Sequence, residues 1–489
     1  MIVAVGLAYF LVCAGIGWWA ARRTRSVETF FVADRAVGVF PFAIATMATT
    51  LSGFTFIGGP GLVYAQGFTA LFISLPAGLT NTLGALVLGA RMRRLGERRR
   101  LLTVPDAIGV RYRSRAAQGW SAVAVLVGIV GYLGTNVLAL GVVVDALFGV
   151  GIGAGCWIGS GVLLAYATGG GILAGIWTDV FQGTLMAVVS TIVFAAAGER
   201  GGGLPGLSHT LQSFDPALLA PWGTRGPMVA LSLFFVFAVG SLGQPHLAHK
   251  YYMVRDVRRL RWYPALLTTA MTFALLLFFA VGFAVRALVV RGELSPLVRP
   301  DDATPTFLLQ AVPPLVAALA FAGVAAAIMS TVSSFLSIGA AAIVHDLPRA
   351  LGRPRPVDDA RVLAAGRGWT VALCLVGAAL AQGAGTLVAF LGIFGYGLFA
   401  STLVPALVIG LVWDGATREG AIASIVTGLG LTLTMESLAF AGVLTLPAGV
   451  TVTGLALVVS CLVFLGVSFA TRARAAEQLD DDVRDVIRG

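Results

Sequence analysis

Ser52-Gly53-Phe54-Thr55-Phe56-Ile57-Gly58-Gly59-Pro60-Gly61 lies inside a long apolar run. Glycine and proline there break the helical hydrogen-bond ladder and free backbone carbonyls and amides. At membrane depth such groups survive only where they line a cavity or bind something. A second interruption, Gly240-Ser241-Leu242-Gly243-Gln244-Pro245-His246, falls in another apolar run. Glycines can also serve only to let helices pack closely. Two broken helices at matching places in two halves, however, are the sequence mark of a secondary transporter's binding site.

Around these stretches the chain is 58% hydrophobic and 11% charged, far from the ~25% charged residues of soluble domains. Thirteen apolar segments can be drawn: 2–21, 40–66, 68–92, 117–148, 150–168, 171–198, 227–249, 262–290, 308–346, 366–383, 385–412, 416–441 and 447–471. They are called spans 1 to 13 below. They are too long and too uniformly apolar for barrel strands, so the expected class is an all-α integral membrane protein. The interruptions fall in spans 2 and 7. Span 1 has no basic leader and no small-residue cleavage site, so it is expected to stay as a membrane helix rather than act as a signal peptide.

Threading the spans with the N-terminus outside places 28 of the 33 Lys+Arg on the inner side, including nine arginines between Arg91 and Arg115. The positive-inside rule then favours a multi-pass protein of a bacterial-type inner membrane, N-terminus outside and C-terminus cytoplasmic, with an odd span count. The net charge of +10 is explained by that topology and by contact with anionic membrane lipid. No nucleic-acid partner is needed. One transporter domain, 1–472, and a short cytoplasmic tail, 473–489, are expected. Cys13, Cys156, Cys374 and Cys461 lie far apart in apolar runs and read as small buried hydrophobes.

Several polar residues stand out. Asp179 lies inside span 6, where a carboxylate needs a partner; it suits a cation ligand or proton acceptor. Ser330, Thr331, Ser333 and Ser334 fall within five positions of span 9. Three of them share a helix face, and hydroxyl oxygens are hard, neutral ligands for a small hard cation. Hydroxyls bonded back to the preceding turn would look the same. Tyr132 and Asn136, one turn apart in span 4, suit either a polar cavity or an interhelical hydrogen bond. Asp145 is placed at the outer interface, and His246 and His249 at the inner end of span 7. Glu436 has no assigned role. Motifs of hydrolases, zinc proteases and nucleotide-driven pumps are absent, so no enzyme is expected, and uphill transport would use an ion gradient.

These residues together resemble the sodium–solute symporter family, the sodium/proline branch in particular. The resemblance rests on Ser26 to Gly38 leading into Leu51-Ser52-Gly53 and Gly59-Pro60-Gly61, Gly169 to Gly183 around Trp177-Thr178-Asp179, Gly243-Gln244-Pro245-His246, Met329-Ser330-Thr331, and Pro405 to Gly428. It implies a LeuT-like fold of two inverted five-helix repeats, about 40–198 and 227–412, in which helices 2 and 7 are broken, and a monomer. It implies Na+ as coupling ion, held by the carbonyls of Ala48, Leu51 and Ala327 and the hydroxyls of Ser330 and Thr331. A second Na+ site would use Asp179, Ser330, Ser333 and Ser334. The solute would bind near Phe54, Tyr132, Asn136, Phe237, Ser241 and Gln244. Thr50 stands where the sodium/proline symporters carry an aspartate, so proline itself is not implied as cargo. The expected activity is sodium-driven import of an amino acid or small carboxylate. Alternatives are a proton-coupled symporter of the same fold and a solute sensor.

Overall fold

A computed structural model describes residues 1–23, 32–167, 171–353, 359–383, 388–447 and 449–488. Ser26 to Phe31, Gly169 and Gly170, cited above, lie outside the described residues. The described chain is helical, with a lone parallel bridge between Val37 and Val254. Among the described residues, eleven helices are long and apolar enough to cross a membrane. The helices Val39–Thr50 and Ile152–Leu164, in spans 2 and 5, are shorter. Large apolar side chains face outward all around the bundle, Leu11, Trp18, Leu86 and Leu462 among them. Such a surface is stable against lipid and not against water.

Span 2 divides where the glycines stand. A helix Val39–Thr50 ends at Leu51, whose backbone is extended (φ −89°, ψ 118°). A π-turn Phe54–Gly58 and a helix Gly59–Gln66 follow. Span 7 divides in the same way. Gly226–Gly240 passes through a tight turn, Ser241–Gly243, to an extended Gln244 (φ −69°, ψ 116°), and the chain resumes as the short helix Pro245–Lys250. Proline at the first position of the resumed helix costs nothing there, because its missing N–H would be unpaired in any case.

Span 9 differs from its sequence limits. Residues Ala303–Gln310 form a separate helix, and span 9 proper begins at Pro314. Pro313 lacks an N–H and stops continuous helix across 311–313. Span 9 then runs as α-helix to Ala341 and ends in a π-turn, Ala342–Asp346. Span 6 packs closely on both span 8 and span 9, and span 4 on both span 5 and span 11.

The arginine-rich face is tied together by buried polar contacts. Asp106 Oδ2 accepts from the Leu102 amide (3.1 Å) and lies 2.9 Å from His345 Nε2. Gln118 Nε2 bridges Asp106 and Asp346, at 2.9 and 3.2 Å from one oxygen of each. The tail returns to this face as a helix, Asp481–Arg488, whose Val483, Val486 and Ile487 are buried. Arg99 pairs with Asp480 and Asp482, and Arg91 donates to the Ile487 carbonyl at 3.2 Å.

Candidate functional site

The break in span 2 releases four consecutive carbonyls. In an unbroken helix the amides of residues 52 to 55 would donate to the carbonyls of residues 48 to 51. Here the Ser52 amide donates to Thr55 Oγ1 and the Gly53 amide to Asn136 Oδ1 (3.0 Å). The Phe54 amide donates to Ser52 Oγ, and the Thr55 amide to the Ser52 carbonyl. The carbonyls of Ala48, Thr49, Thr50 and Leu51 are thereby left without their helical donors.

Span 9 meets three of them. Ser330 Oγ donates to the Ala48 carbonyl at 2.8 Å and lies 3.1 Å from that of Ala327. Thr331 Oγ1 lies 3.2 Å from the Thr49 carbonyl, 3.3 Å from that of Leu51 and 3.1 Å from that of Ala327. The five groups expected from the sequence are therefore in one place. The Thr49 carbonyl is a sixth that the sequence reading missed. All are buried. Two hydroxyl protons serve four carbonyl oxygens, so the nest is rich in hard oxygen and poor in donors. That donor set fits a sodium-sized hard cation.

Asp179 is next to this nest. Its Oδ2 accepts from Lys250 Nζ at 2.8 Å and lies 2.9 Å from Thr49 Oγ1. Lys250 Nζ also donates to the Ala45 carbonyl at 2.8 Å. Lys250 falls just past the sequence limit of span 7, among the basic residues of the inner side. The structure buries it, because the short helix Pro245–Lys250 turns it inward toward Asp179, whose charge offsets its desolvation. Asp179 Oδ1 has no hydrogen-bond partner among the described residues. Of the serines grouped with it, Ser334 reaches the network through Thr49 (3.4 Å). Ser333 donates back to the Ser330 carbonyl and Ser330 belongs to the first nest.

Beside the break lies a small, partly enclosed cavity of about 80 Å³. Phe54, Tyr132, Phe237 and Ser241 line it as expected. Asn136 and Gln244 do not. Asn136 is fully buried and spends its amide on the Gly53 N–H and the Tyr132 carbonyl. Gln244 is turned away to the carbonyls of Gly240 and Tyr396, both 3.1 Å from its Nε2. Each braces a helix break instead of facing the cavity. The sequence reading also missed Asn81 on span 3, Phe278 on span 8 and Tyr396 on span 11. Aromatics and amides in otherwise ordinary spans carry no local signal. The rings of Phe54 and Phe237 stack at 6.1 Å, and those of Phe237 and Tyr396 at 4.4 Å.

Comparison with known proteins bears on the family and the fold. The model of the sodium:solute symporter family matches residues 30–428. The chain is 27% identical over 435 residues to a sodium/pantothenate symporter of Escherichia coli, covering 86% of this chain and 88% of the relative. It is 24% identical to an osmoregulated proline transporter of Bacillus subtilis, covering 88% and 87%. The fold resembles that of a Na+-coupled sialic acid symporter solved in a substrate-bound outward-open state. The TM-score is 0.78 at 17% identity, covering 96% and 97% of the two chains.

Proposed function

Since the chain belongs to the sodium:solute symporter family, we propose that it imports an amino acid or small carboxylate by sodium-coupled alternating access. The observation that carries this reading is the oxygen nest between spans 2 and 9, which joins a broken helix to an unbroken one through Ser330 and Thr331. A cation bound there neutralises the freed carbonyls and holds the two spans together. The same break forms one wall of the aromatic cavity, through Leu51 and Phe54. Ion and solute thus act on one stretch of backbone, which is the physical basis for coupling: each ligand favours the conformation the other needs.

A second Na+ would sit at Asp179 Oδ1 with the span 9 hydroxyls. The unpartnered, buried carboxylate oxygen supports this, and Lys250 would remain on Oδ2. Solute would occupy the cavity by Phe54, Tyr132, Phe237 and Ser241. The two repeats, 40–198 and 227–412, would then rock about it, releasing toward the arginine-rich face, which on this reading is cytoplasmic. The pairing of the membrane-facing arginines with anionic lipid is part of the same proposal, as is a monomeric working unit.

The test is uptake of amino acids and small carboxylates into proteoliposomes with and without an inward sodium gradient. Accumulation only with the gradient, lost in Ser330→Ala and Thr331→Ala, is expected. Accumulation driven equally by a proton gradient in sodium-free buffer would replace sodium with protons as the coupling ion.

A further inference from the structure

The central cavity shares part of its lining with a narrower second space. Thr50, Thr80, Asn81, Ser241 and Leu247 line both. The second space runs on past Gly84 and Leu88 of span 3. Span 3 does not stop at its sequence limit, residue 92. Through the π-turn Ala85–Gly89 it continues as the helix Ala90–Arg99. The wall of the second space and this inner extension are successive parts of one helix, so a contact that holds the extension also holds the wall.

The tail grips that extension. Arg91 Nε and Nη2 both donate to the Ile487 carbonyl at 3.2 Å, and Arg98 donates to the Asp482 carbonyl at 2.8 Å. Arg99 reaches Asp480 at 2.8 Å and Asp482 at 2.7 Å. The same segment is fastened on its other side to the connection between spans 11 and 12. Arg488 Nη2 donates to Asp414 at 3.1 Å. Gln478, which is buried, accepts from the Arg418 amide at 2.7 Å and donates to Glu419 at 2.9 Å. Residues 478–488 thus cross from the inner end of span 3 to the inner end of span 11.

The fastening can come undone. An isolated helix of eight residues is marginal in water, so Asp481–Arg488 is helical because it is docked. Its buried apolar side chains are three, Val483, Val486 and Ile487. The side chains of Arg99, Asp480 and Asp482 are 34%, 29% and 38% exposed. Ion pairs in that setting are individually weak and are screened by salt.

Resting on the symport reading, we propose that residues 478–488 are an autoinhibitory strap. Docked, the strap holds the inner extension of span 3 to the connection after span 11 and keeps the second space narrow. Undocked, it lets that space widen toward the arginine-rich face. Ionic strength at that face sets the balance, because arginine–aspartate pairs carry much of the docking.

The test reads access to the second space and needs no solute. Asn81→Cys is labelled with a small membrane-impermeant thiol reagent, in vesicles that present the arginine-rich face to it. The chain without that added cysteine, whose Cys13, Cys156 and Cys374 are buried, supplies the background. Deleting residues 477–489 is expected to speed labelling about threefold, the scale of one exposed ion pair. Arg99→Glu is expected to do the same, and adding Asp482→Arg to it is expected to restore the slow rate. Raising salt from about 0.05 M to about 0.5 M should speed labelling of the intact chain and not of the deleted one. Equal rates for intact and tail-deleted chains that both unfold cooperatively overturn the proposal. So does an Arg99→Glu rate equal to that of the intact chain, or one that Asp482→Arg leaves unchanged, and this pair decides the matter if the deletion does not fold. Failure of the symport reading looks different: uptake that ignores the sodium gradient while labelling still responds to the tail.

Discussion

Lys250 Nζ lies 2.8 Å from Asp179 Oδ2, with 5% and 1% of the two side chains exposed. The pair joins the end of the broken span 7 to the first third of span 6. Removing one partner leaves an uncompensated buried charge, which costs about 3–5 kcal/mol. Asp179→Asn and Lys250→Met alone are each expected to lower the unfolding temperature in detergent by several degrees. The double substitution is expected to recover most of that loss. Thermal unfolding of all four forms checks it, and a double variant no better than the worse single variant would show that the pair is not coupled.

Asn136 is expected to affect ion binding more than solute binding. By taking the Gly53 amide it keeps the Thr49 carbonyl out of the helical ladder. Asn136→Leu is therefore expected to raise the sodium concentration for half-maximal uptake about tenfold, equivalent to ~1.4 kcal/mol. Solute KM at saturating sodium should change far less. Sodium titrations of uptake at two fixed solute concentrations separate these effects.

Gly59 allows span 8 to lie against the break. A Cβ at this position would stand 2.0 Å from Phe278 Cε2, and Phe278 is itself buried. Overpacking of this kind costs roughly 1–3 kcal/mol. Gly59→Ala is expected to lower stability, and adding Phe278→Leu is expected to restore part of it. Unfolding midpoints of the single and double variants decide the matter.

Asp301, in the connection between spans 8 and 9, accepts a hydrogen bond from the Val388 amide at 2.8 Å. Burial pushes its carboxyl up to about 6, against the lowering effect of that hydrogen bond. The folded state therefore binds this proton more tightly than the unfolded chain does. The resulting stabilisation is fully present below about pH 4 and is lost as pH rises through about 6. Its full size is on the order of 3 kcal/mol. Asp301→Asn is expected to flatten this part of the stability–pH curve. Unfolding midpoints measured from pH 4 to 7 test it; parallel curves for the two proteins would exclude the effect.

The breaks in spans 2 and 7 were legible because glycine and proline act on the backbone where they stand. The hydroxyl run of span 9 was legible because helical spacing puts those residues together. Span 9's start was misplaced by residues 308–313, because the apolar end of Ala303–Gln310 runs on in sequence toward span 9 and only the break between the two helices shows it to be separate. Asn136 and Gln244 were expected at the solute, but each bonds a carbonyl four residues back and a group from a distant segment, Gly53 N–H for Asn136 and the Tyr396 carbonyl for Gln244.

The sequence alone determined that this chain crosses a membrane many times, where its helices break, and which hydroxyls lie beside one break. Those features are local: hydropathy over one helix length, loss of one N–H, a spacing of three or four residues. Only the tertiary structure decided what the freed groups meet. Thr49 touches Asp179, Lys250 is buried, and Asn81 and Tyr396 share a cavity because segments up to hundreds of residues apart pack together. Desolvation and hydrogen bonding act on that assembled interior, and no stretch of the chain read by itself contains them.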